Sequence, residues 1–137
     1  MEYLTISQED RQNAIADAIV ARENEVFSYQ LNIDNYTAIL ASMSDLSNEW
    51  PPSILSYKNI VPTNAASIVP DDKIDLVSQY MYRDRIQHLL KTEKIEQAKS
   101  IKVLEALKSQ LPIDQIVGLV TASKEKMVIQ RQKALGN

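Results

Sequence analysis

Apolar and aromatic residues, interrupted once by Arg22, recur along the first third of the chain at alternating steps of four and three: Ile15, Ile19, Arg22, Val26, Tyr29, Ile33, Tyr36, Leu40 and Met43. Such spacing keeps one line of side chains on one side of an α-helix and predicts a long helix with a coiled-coil-like seam over residues 7–43. A second apolar line, Ala16, Val20, Phe27, Leu31 and Ala38, runs beside it. The buried face is therefore wider than a two-stranded contact needs, and the helix is expected to touch more than one neighbour. Ser7 supplies a capping hydroxyl, and Glu9 and Asp10 place negative charge at the positive end of the helix dipole. Asn32, Asp34 and Asn35 are weak helix formers, so Leu31 to Tyr36 is the expected place for a kink or break.

The periodicity stops at Ser44. Between there and Pro70 the chain gathers Pro51, Pro52, Pro62 and Pro70, while Leu46, Trp50, Ile54, Leu55, Tyr57, Ile60, Val61, Ile68 and Val69 are too apolar for a loose linker. This connection is expected to pack along the helices, with a turn or two of helix between Pro52 and Tyr57.

A second helix is predicted over about 71–110, opened by Asp71 and Asp72 and stopped by Pro112. Ile74, Val77, Tyr80 and Met81 line its beginning, and Ile101, Leu104, Leu107 and Leu111 its end. Between Lys91 and Gln97 only Ile95 is apolar, so that stretch is read as solvated or as facing a polar partner. A third helix over about 113–135 has Ile113, Val117, Val120, Met127 and Leu135 as its expected inward line, weakened at Gly118.

The fold class is therefore all-α: an elongated helical hairpin or bundle of three main helices with the proline-rich connection packed against it, in a single domain of residues 1–137. Composition agrees, since only 2 of the 137 residues are Gly and the chain is rich in good helix formers. A continuous first helix of roughly 36 residues would be a rod of about 54 Å, against a radius of gyration near 14 Å for a compact chain of this length. Such a rod calls for an elongated molecule or for pairing with other copies, and homo-oligomerisation through the first-helix seam is the expectation.

The net charge of −3 conceals a split. Residues 1–70 carry nine acids against three bases, a net of −6, and residues 71–137 carry nine acids against twelve bases, a net of +3. The two halves attract, within one chain or between chains. An isoelectric point of about 5.2 argues against broad electrostatic binding of nucleic acid. No apolar run approaches the roughly 18 residues of a membrane span, and residues 1–10 lack a basic-then-apolar leader. A soluble, unprocessed, cytoplasmic protein is expected, or a virion component if the chain is phage-encoded.

Candidate chemistry is sparse. Cysteine is absent, which removes thiolate nucleophiles, disulfides and cysteine-ligated metals. The one histidine, His88, shares a helix face with Asp84, and an intrahelical bond between them is the simplest reading. Glu93 with Glu96, and Glu23 with Glu25, are the nearest carboxylate pairs; the first falls among lysines and the second points to two sides of one helix. No glycine-rich phosphate loop and no nucleophile-elbow or kinase signature occurs. No catalytic residue, cofactor or metal is assigned.

The aromatic and arginine positions carry the interaction reading, because Tyr, Trp and Arg dominate binding hot spots. The candidate residues are Arg22, Val26, Tyr29, Ile33, Tyr36 and Leu40 on the seam, Trp50 and Tyr57 in the connection, and Tyr80 and Tyr82 on the second helix, where Arg83 and Arg85 lie close by. In the competing reading the Tyr29 and Tyr36 rings pack on Trp50 or Tyr57. Short, cysteine-free, glycine-poor helical chains with a proline-rich middle resemble small phage-encoded and assembly proteins in style, but no residue motif carries the likeness and no function follows from it. The expected function is a non-enzymatic protein–protein interaction or assembly protein that self-associates. Two rivals stand beside it: an inhibitor or regulator acting through an acidic helix face, and a small ligand-binding protein or enzyme with Arg22, Tyr29, Tyr36 and Trp50 around a pocket.

Overall fold

Ser7 opens the first helix as its composition predicts. Its hydroxyl accepts from the Asp10 amide at 3.0 Å and its carbonyl from the Arg11 amide at 2.9 Å. A computed structural model of the chain describes residues 7–60 and 68–134, with the side chains of 113–114 and 132–134 left aside. Helix α1 spans Gln8–Ser42, a 3-10 turn follows at Leu55–Tyr57, helix α2 spans Ile74–Lys108 and helix α3 spans Ile113–Ala134. No strand occurs among the described residues. The chain is all-α, and the helices pack on one another as a hairpin-and-bundle arrangement requires.

Helix α1 does not break at Leu31 to Tyr36. The weak helix formers there harm a helix mainly when their side chains compete for backbone groups. Here Asp34 and Asn32 are engaged elsewhere: Gln30 Nε2 donates to Asp34 Oδ1 at 2.8 Å, and Asn32 Nδ2 donates to Glu93 Oε2 at 3.3 Å. Thr37 bonds back to the Ile33 carbonyl at 2.7 Å without interrupting the helix. At the far end the turns tighten to i+3 bonds, Met43 to Leu40 and Leu46 to Met43, and the helix stops.

Helix α2 starts three residues later than the acids at 71 and 72 suggest. Pro70 first closes a turn by accepting from the Lys73 amide at 2.9 Å, and the helical bonds begin with Val77 to Lys73. Pro112 separates α2 from α3, and its carbonyl accepts from the Gln115 and Ile116 amides to start the last helix.

The packing gathers into two compact units, one of Met1–Tyr29 with Glu96–Asn137 and one of Gln30–Ile95. In the first, Ile19, Val20, Leu111 and Val120 form a buried cluster, with Ile15, Leu104, Leu107, Ile116, Leu119 and Met127 packed around it. Three helices contribute, as the double apolar line on α1 requires. Burying a side chain such as Ile19 completely stabilises the unit by about 1.5–3 kcal/mol.

In the second unit Trp50, Ile54, Val69, Val77 and Tyr80 form the core, and Leu46, Tyr57, Ile60, Ile74 and Met81 pack against it. The connection therefore supplies half of a core, as its apolar content predicts. Successive bonds from the amides of Ile54, Tyr57 and Ile60 to the carbonyls of Pro51, Ile54 and Tyr57 coil it tightly enough to bring Trp50 and Ile54 to the same side. The prediction for Val61 and Pro62 lies outside the described residues.

Candidate interaction surface

The seam positions turn inward along the whole of α1. In the first unit Ile19 is fully buried, Ile15 packs beside it, and Arg22, Val26 and Tyr29 are half-buried. In the second unit Ile33 is buried and Tyr36, Leu40 and Met43 are half-buried. The seam is thus covered in part within its own chain; the sequence reading set it against other copies. An antiparallel second helix with its own apolar line satisfies the same spacing, and the heptad alone does not distinguish the two.

Arg22 occupies its apolar seam position by way of polar partners. One guanidinium nitrogen lies 3.3 Å from Ser100 Oγ and 3.2 Å from Glu25 Oε2. Tyr29 donates to the same Glu25 carboxylate at 3.3 Å, and Gln97 donates to the Val26 carbonyl at 3.2 Å. The polar stretch of α2 is therefore a facing layer as well as a solvated one. Glu93 in the second unit is half-buried beside Asn32, while Glu96 pairs with Lys99 at 3.2 Å.

Trp50 packs on Tyr80, with ring centroids 5.6 Å apart and planes tilted by 43°. Its indole nitrogen donates to Asp84 Oδ2 at 2.8 Å. Tyr80 bonds through its hydroxyl to the Ser47 amide at 2.9 Å, and Arg83 sits 4.8 Å above the Tyr80 ring while donating to the Ser47 carbonyl and to Asp84. A buried guanidinium is tolerable on an aromatic face with such acceptors, although Arg83 Nε finds no hydrogen-bond partner among the described residues. Asp84 is thus turned toward Trp50 and Arg83, and His88, with which it was expected to pair, lies exposed.

Of the interaction candidates read from sequence, only Tyr82 stands in the open, at 48% exposure; the others are buried or half-buried within their units. Arg22 and Tyr29 belong to the first unit and Tyr36 and Trp50 to the second. Among the described residues no three His, Asp or Glu side chains gather closely enough to hold a metal ion, and no helix is long and apolar enough to cross a membrane.

The surface that emerges instead lies on α3. Ile116, Leu119, Val120, Ser123 and Met127 share its packed side, and Val117 is 74% exposed, which corrects its assignment to the inward line. At about 100° per residue, Ile116 and Leu119 fall into register with Val120 and Met127, and Val117 is carried out. Ile113 and Leu135, the other expected members, lie outside the described side chains. Val128 and Ile129 are 51% and 53% exposed, and with Thr121, Lys124 and Glu125 they line a shallow, open hollow of about 440 Å³. Gly118 adjoins Val117 on this side, and a methyl group added there would meet nothing within 4 Å.

The edges of this face are fixed by charge. Glu23 bridges Lys108 at 3.5 Å and Lys124 at 3.1 Å, and Asp17 takes the Ser123 hydroxyl at 2.7 Å and Lys126 at 3.4 Å. The opposite charges of the two chain halves therefore meet within the first unit. Each exposed pair contributes only about 0.2–1 kcal/mol. Two small hollows of about 220 and 230 Å³ flank the Asp17–Ser123–Lys126 cluster. Ser123 donates its proton to a carboxylate there and is placed as a helix clamp.

On α1, the second apolar line is covered only in part. Ala16 and Val20 are buried, whereas Phe27 in the first unit and Leu31 and Ala38 in the second are exposed. No family model, no curated protein and no solved structure matches this chain.

Proposed function

We propose that this chain is a non-enzymatic helical interaction or assembly protein, with the outward side of α3 in the first unit as its contact face. The observation that carries the reading is the apolar character of that side. Val117, Val128 and Ile129 stand in solvent on a helix whose other side is already packed. Exposed apolar side chains on a rigid element are the usual material of a protein contact. The edge lysines are held by acids of α1, which leaves Glu125 as the charge nearest the centre of the face. A protein partner suited to it presents apolar side chains around a basic group.

The acidic-face inhibitor reading loses part of its support, since Asp17 and Glu23 are already paired with lysines of the same chain. Self-association remains part of the proposal.

The test compares the parent with the triple variant Val117→Asp, Val128→Asp, Ile129→Asp. All three side chains are at least half exposed, so helicity and unfolding midpoint are expected to stay close to those of the parent. Light scattering at tens of micromolar then reads self-association, and affinity capture from the source organism's extract reads partner binding. Loss of an assembled mass or of a captured protein on substitution supports the proposal. A monomeric parent whose captured proteins are the same as the variant's overturns it.

A further inference from the structure

We draw no further inference here: the strongest candidate, the outward apolar face of α3 around Val117, Gly118, Val128 and Ile129, is the surface already described, and nothing in the structure shows what covers it.

Discussion

The bond from Trp50 to Asp84 is expected to tie the connection to α2 by an amount that a double-mutant cycle can read. Trp50→Phe keeps a ring against Tyr80 but removes the indole N–H that donates to Asp84 at 2.8 Å. A hydrogen bond to a charged acceptor is worth about 1.5–3 kcal/mol, and the 38% exposure of the Asp84 side chain argues for the lower end, about 1–2 kcal/mol. The smaller ring also leaves roughly 40 Å³ unfilled, which at about 24 cal/mol per Å³ adds about 1 kcal/mol. The single substitution should therefore cost about 2–3 kcal/mol. Asp84→Ala removes the same bond and the contact with Arg83, and the Arg83 term cancels in the cycle because it is lost in both arms. The four proteins are compared by urea unfolding followed by far-UV circular dichroism, since the Phe variant has no tryptophan left to report. A coupling energy of about 1–2 kcal/mol is expected. A value below about 0.5 kcal/mol, within the scatter of independent sites, refutes the claim that this bond holds the segment.

Three further outcomes follow from burial. Ile33→Asp places a carboxylate at a position only 7% exposed and should cost several kcal/mol; a variant that melts like the parent shows the α1 register to be wrong. Gly118→Ala should stabilise by about 0.5–1 kcal/mol, because the helix gains propensity and the new methyl group meets nothing within 4 Å, and a lower melting temperature contradicts that exposure. Glu93→Ala removes one bond of 3.3 Å at a half-buried position and should cost about 1 kcal/mol or less; a loss above about 2 kcal/mol reveals a tighter polar layer between α1 and α2 than the distances indicate.

The helices were legible because they rest on local rules. Ser7, Pro112 and the apolar spacings place the ends of α1 and α3 within one or two residues. The direction in which each apolar line faces was less so. A four-three line states that one side is buried but not by what, and α2 covers it as well as a second copy does. The Trp50 site was half visible: Val77, Tyr80 and Asp84 are spaced three and four apart, so they share the side of α2 that the connection meets. Pairing Trp50 with Tyr80 depends on where the connection turns, and that is set by bonds between residues 51 and 60. The α3 surface was missed because an apolar residue counts the same on either side of a helix until the core has chosen one.

The first unit is closed by two segments far apart in sequence. Asp17 and Ser123, and Asn24 and Met127, meet across 106 and 103 positions of sequence. The second unit is one uninterrupted stretch, Gln30–Ile95. On a ribosome these two have different histories, because a chain is made from its N-terminus and its domains fold as units when they are complete. Every residue of the second unit has been made before Glu96 is added, whereas the acids of α1 wait for lysines translated after that unit. Closing a loose loop of about 100 residues costs roughly 4 kcal/mol in chain entropy, and a middle that has already folded removes much of that cost. The α3 face therefore comes into being only after the second unit is complete, and a chain released between the two carries the second unit without it.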